Sequence, residues 1–197
     1  MHFTLQYVRK LRGHGFTLVE LLIVIIIVGI LAAVTAVAYN GAQQSAANAK
    51  VLTSLSQWES LIKVYLARKG SAPIPPGGVN VCLGEYYPAT SDFVTGSCQS
   101  YTDTTSFIDV SPEITSKFKS IGNTLPTDVS DIVVRMRGKI NNNFRGITYA
   151  AGATSASVSA RMHGDASCGK YTKFFYSPPT YTAPGVTTCT ATITIKS

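Results

Sequence analysis

HGFTLVELLIVIIIVG, His14 to Gly29, carries one carboxylate, Glu20, at the entrance to a long apolar run. From Leu21 to Tyr39 no residue is charged. A helix over that stretch rises about 28 Å, close to the thickness of a bilayer core. Thr35, the one strongly polar intruder, can return its hydroxyl to its own helix. Burying an unpaired carboxylate costs several kcal/mol or more. Glu20 therefore needs a headgroup or an opposite charge beside it.

On the N-terminal side, MHFTLQYVRKLRGHG holds Arg9, Lys10 and Arg12 and no acid. Positive charge on the short flank keeps it in the cytoplasm, and everything after Tyr39 is then expected outside it. Two simple readings fit this much. One is a plain signal anchor; the other is a secretory signal peptide cut after Ala38, where Ala36 and Ala38 satisfy the small-residue rule. The apolar run is longer than a usual signal core and passes into a helical pattern instead of a turn. Neither reading accounts for Glu20. The whole chain carries a formal charge of +7; without its first 15 residues, 14 basic and 10 acidic residues leave +4. That balance alone makes no strong case for nucleic acid.

GFTLVELLIV, behind a basic leader and ahead of a long apolar helix, resembles the processing site of type IV prepilins and of the pseudopilins of type II secretion and competence systems. The resemblance covers roughly residues 9 to 45. It implies a cut by a prepilin peptidase between Gly15 and Phe16, and methylation of the new amine of Phe16. It also implies that Glu20 is the family's assembly glutamate, meeting the N-terminal amine of a neighbouring subunit. Glu20 lies four residues after Phe16, about 6 Å along a helix. A matched pair permits burial and fixes the stagger between subunits, whereas an unpaired one forbids it. The partners so implied are the peptidase, other copies of the chain and minor pilins in a helical filament, an inner-membrane assembly platform, and the lipid bilayer before assembly. One departure is the absence of a proline in AAVTAVAY, where Val37 takes its place. Gly29 and Gly41 are weaker helix breakers, at about 1 kcal/mol each, and Gly29 equally suits close packing between helices.

The helix is expected to run from 16 to 70, its membrane part over 16–39 and an amphipathic part over 40–69. Val51, Leu55, Trp58, Leu61, Ile62, Tyr65 and Leu66 form an apolar stripe. Arg68 and Lys69 suit a C-terminal turn, and Gly70 its cap. GSAPIPPGGVNV ends the helix. The head, 71–197, is read as a turn-rich connector, a Ser/Thr-rich loop around Tyr101 and a short helix Pro112–Phe118 capped by Ser111. Strand candidates follow in DIVVRMRGKI, RGITYAA, ASVSARMH, YTKFFYS and TCTATITIK, with NNN before Phe144 and SPP after Tyr176 as turns. The expected fold class is α+β: a long N-terminal helix, membrane-spanning in its first half, whose second half packs on one antiparallel sheet of about four or five strands.

Cys82, Cys98, Cys168 and Cys189 lack the tight spacing of zinc ligands, and the expected compartment is oxidising, which favours two disulfides. Three pairings exist; sequence neighbours, Cys82 with Cys98 and Cys168 with Cys189, are expected. Catalysis finds little support. His163 is the one histidine beyond the leader, no carboxylates pair at helical spacing in an apolar setting, and no phosphate loop occurs. No catalytic residue, metal or cofactor is expected. Arg135, Arg137 and Lys139 share one parity of a strand, with Arg145 and Arg161 expected nearby. Repeated along a fibre, they would form a track for DNA phosphates or anionic polymers; the simpler reading is solvent-facing charge on a sheet whose other face, Val134, Met136 and Ile140, packs on the helix. Three functions compete: a type IV pilus subunit, a pseudopilin, and an unassembled membrane-anchored binding module.

Overall fold

The computed structural model describes residues 17–75, 78–101, 107–122, 124–136, 142–176 and 185–195. The chain divides into two compact units, Met1–Ala42 and Gln43–Ser197. One helix, α1 (Leu18–Lys69), has residues in both.

In the first unit the described residues are helix from Leu18 onward. Every side chain described there is exposed, including the large apolar ones from Leu18 to Val34. Thr35 Oγ1 donates to the carbonyl of Leu31 at 2.9 Å, so its hydroxyl is satisfied without water. Among the described residues α1 is the one helix long and apolar enough to cross a membrane.

The second unit starts with the rest of α1. Val51, Leu55, Trp58, Ile62 and Tyr65 recur at alternating four- and three-residue steps and are all buried. Leu61 and Leu66 flank that stripe, half-buried. The helix stops at Gly70, whose φ of +76° favours a residue without Cβ, and whose N–H closes on the Leu66 carbonyl at 2.8 Å. The short helix α2 (Pro112–Lys119) begins as the sequence predicts, with Ser111 Oγ accepting from Ile114 N and Pro112 in the first turn. Its Phe118 sits edge-on to Trp58, Tyr65 and Tyr149, at centroid distances of 6.0, 5.3 and 5.4 Å.

Nine strands are described: β1 (Val81–Leu83), β2 (Ser97–Tyr101), β3 (Phe107–Asp109), β4 (Val133–Met136), β5 (Asn142–Arg145), β6 (Ile147–Ala151), β7 (Ser155–His163), β8 (Thr172–Tyr176) and β9 (Val186–Thr194). They form two antiparallel sheets, not one. The five-stranded sheet has the order β1-β6-β7-β9-β8 and the four-stranded sheet β3-β2-β5-β4. In β7 the alternation is strict: Ala156, Val158, Ala160 and Met162 are buried against α1, and Ser157, Ser159 and Arg161 take the other face. This is the α+β arrangement of a long N-terminal helix packed on an antiparallel sheet.

The four-stranded sheet departs from the sequence reading in three places. The polar stretch around Tyr101, expected as a loop, supplies β2 and β3. Asn142 and Asn143, expected in a turn, are strand residues of β5; Asn141 lies outside the described residues. RGITYAA, expected as one strand, is split at Gly146. There φ is +69° and an added Cβ would come within 2.1 Å of the Tyr87 hydroxyl, so the chain turns from one sheet into the other. Val134 and Met136 pack on Phe144 and Val186, not on the helix. Ile140 and the SPP after Tyr176 lie outside the described residues.

Candidate functional site

Glu20 stands three residues after Thr17, and the two close a reciprocal cap on the start of α1. The Thr17 backbone N–H and hydroxyl both donate to Glu20 Oε2, at 2.7 and 2.8 Å, while Glu20 N donates to Thr17 Oγ1 at 3.2 Å. This is a capping box, and TLVE is its sequence signature. The sequence reading singled out Glu20 but missed the cap, which the Thr-x-x-Glu spacing announces. All three bonds leave Glu20 Oε1 without a donor among the described residues. The acid thus sits in the first turn, where the N-terminal end of the helix macrodipole favours negative charge. Gly15 and Phe16 lie outside the described residues. Beyond the cap, the apolar side chains described in the first unit are exposed, without cover among the described residues, and neither Gly29 nor Gly41 has a described atom within 4 Å of an added Cβ.

The head of the second unit holds no group of three or more His, Cys, Asp or Glu side chains suited to a metal, among the described residues. Its ionic centre is Glu59, a buried acid that sequence reasoning passed over. It lies one residue from Trp58, and an acid inside an apolar stripe was the available signal. Glu59 Oε2 accepts from Lys170 Nζ at 2.8 Å and Tyr171 Oη at 3.0 Å, and Oε1 pairs with Lys63 one turn on. Burial pushes the carboxyl up, but the hydrogen bonds from Lys170, Lys63 and Tyr171 outweigh it and hold its pKa at about 2. Lys170 and Tyr171 lie within the loop closed by the Cys168–Cys189 disulfide, so that bridge also fixes the clamp on α1. The other disulfide joins Cys82 to Cys98 beside buried Tyr87.

A second tie is Asn48, whose side-chain amide donates to His163 O at 3.0 Å and accepts from His163 N at 3.1 Å, extending the ladder of β7 onto the helix. His163 is half-buried, and burial, with Arg135 nearby, keeps its imidazole pKa below the usual value.

The basic residues do not gather into one exposed patch among the described residues. Arg135 is doubly bonded to Asp92 Oδ2, at 3.1 Å through Nε and 2.6 Å through Nη2. Arg145 is buried, donating from Nε to Ser97 O at 2.9 Å with its guanidinium 4.3 Å from the Phe93 ring centroid. Arg161 reaches inward to Thr148 Oγ1 at 3.0 Å and lies over Phe144. Arg145 and Arg161 are therefore not partners of an exposed Arg135 face; Arg137 and Lys139 lie outside the described residues.

The prokaryotic N-terminal methylation motif matches residues 11–36 of the chain. No curated protein and no solved structure matches it. The matched segment contains Arg12, the Gly15–Phe16 bond, the Thr17–Glu20 cap and the exposed apolar turns that follow. A prepilin-type methylation motif thus precedes an architecture like that of pilins, and both are consistent with the pilin and pseudopilin family. Fold and motif point to a structural and not a catalytic protein.

Proposed function

We propose that the chain is the subunit of a type IV pilus-like surface filament, assembled through its N-terminal helix. Residues 1–15 are the leader, removed by a prepilin peptidase between Gly15 and Phe16; Phe16 is N-methylated; 16–70 is the assembly helix and 71–197 the extracytoplasmic head. Before assembly the chain is a single-pass membrane protein with its N-terminus in the cytoplasm; afterwards it lies in an extracellular fibre. The reading is carried by one observation: the methylation motif leads directly into an apolar helix whose side chains find no cover among the described residues. Lipid covers that surface in the single subunit and sister helices cover it in a fibre. In the fibre Glu20 leaves water, and its unbonded Oε1 is free to take the methylated amine of the next subunit while Oε2 keeps the Thr17 cap. A short secretion or competence pseudofibre uses the same N-terminal chemistry and differs in fibre length. Shearing fibres from cells and sequencing their subunits from the N-terminus tests the proposal. Fibre subunits that begin at Phe16 support it, and a chain found only as an uncut membrane protein refutes it.

A further inference from the structure

The second unit contains a cavity of about 380 Å³, of a size that suits a small ligand, between α1, the segment after β1 and the connection from α2 to β4. Its floor is apolar: Trp58, Leu83, Val129 and Ile147 line it and are all but fully buried. Its mouth is acidic. Glu85 is already neutralised by Lys119, 2.5 Å away. Asp128 makes no ion pair among the described residues, yet its carboxylate is fixed in place, Oδ1 accepting from Ser130 N at 2.8 Å and Oδ2 from Ser130 Oγ at 2.9 Å. Buried Arg145 feels the Asp128 charge through space but makes no ion pair with it, and its Nε bonds Ser97 O. Tyr86, 70 % exposed, adds an aromatic face at the rim.

An apolar floor, an aromatic rim and a pre-oriented carboxylate without a direct ion pair among the described residues recognise a cation carried on an aliphatic stem. The stem replaces water over the floor, and the charged head meets Asp128 and the face of Tyr86. We infer that this cavity binds an alkylammonium group, supplied either by a free aliphatic amine or by a lysine side chain of another polypeptide.

Trp58, the only tryptophan in the chain, lies in the floor and reports on occupancy. Full-length protein in non-ionic detergent is titrated with 1,5-diaminopentane, with the peptide Ac-Ala-Lys-Ala-amide and with 1-pentanol, following Trp58 emission. The expected result is a saturable change with either amine, little change with the alcohol, and binding weakened about tenfold or more in Asp128→Asn, with Asp165→Asn unchanged. Tighter binding of the diamine identifies a free amine as the ligand, and tighter binding of the peptide a lysine side chain. If Asp128→Asn unfolds, comparing amine with alcohol on the native chain, and amine binding across a salt series, still decides. Equal affinity for pentanol and amine, undiminished amine binding by a folded Asp128→Asn, or no saturable response to either amine would overturn the inference.

Discussion

Glu20 caps its own helix through one oxygen, and in the filament proposal it offers the other to a partner. Cap and partner are therefore separable by substitution. Thr17→Ala removes the hydroxyl side of the cap and is expected to cost about 1 kcal/mol of local helix stability, leaving the charge for assembly intact. Glu20→Ala and Glu20→Leu remove the charge; both are expected to insert in the membrane at least as well as the native chain but to be depleted from fibres. Cell fractionation and blotting of sheared fibres measure both quantities, and normal fibre yield from either Glu20 variant would remove the pairing role. Two glycines offer a similar contrast. Gly146→Ala forces a Cβ into the Tyr87 hydroxyl at positive φ and is expected to destabilise the head by about 1–3 kcal/mol. Gly41→Ala meets nothing within 4 Å and is expected to stabilise the helix by roughly 0.5–1 kcal/mol. Denaturant unfolding distinguishes the two.

Among the elements, α1 and the Cys168–Cys189 loop meet at Glu59. Its carboxyl has a pKa near 4.5 when unfolded and about 2 when folded. The stability it contributes is complete above about pH 4.5 and is lost as the pH falls toward 2. Both lysines are substantially exposed, so screening reduces this to roughly 1–2 kcal/mol. Glu59→Gln is expected to flatten the acid limb of the stability curve, measured by thermal unfolding from pH 6 to pH 3; an unchanged limb would show that the clamp adds nothing. Reduction of the two disulfides is expected to cost roughly 3 kcal/mol each and to loosen Lys170 and Tyr171 from the helix.

The elements also divide by how well the residues announced them. Strong periodicity and end signals made α1 legible to within two residues, and the Ser111–Pro112 start did the same for α2. The alternation of DIVVRMRGKI placed Val134 and Met136 on one side of β4, but not what they face. The second sheet escaped because β2 and β5 are rich in Ser and Asn, residues that favour turns when their burial is unknown, and β3 is a strand of only three residues. Ser97, Gln99, Ser100, Asn142 and Asn143 are buried all the same, and the pairing that joins β2 to β5, Gln99 with Phe144 and Ser100 with Asn143, is distant in sequence. The capping box was legible in TLVE, and the Glu59 cluster was not, because Lys170 and Tyr171 lie over a hundred residues from it.

At the scale of the whole molecule, the first unit exposes an apolar helix that no part of the described chain covers, whereas the second unit has its own core, two disulfides and two sheets. In the filament proposal the exposed helix is the part that takes cover from other molecules. The filament proposal names that cover as sister helices, and it requires that the leader be gone and the Phe16 amine be present before assembly. The most direct test is the intact mass of the mature protein recovered from membranes and fibres. The account predicts a chain that begins at Phe16, carries one added methyl group and has lost the hydrogens of two disulfides. A mature chain that begins at Tyr39, or one that retains residues 1–15 in fibres, would contradict it.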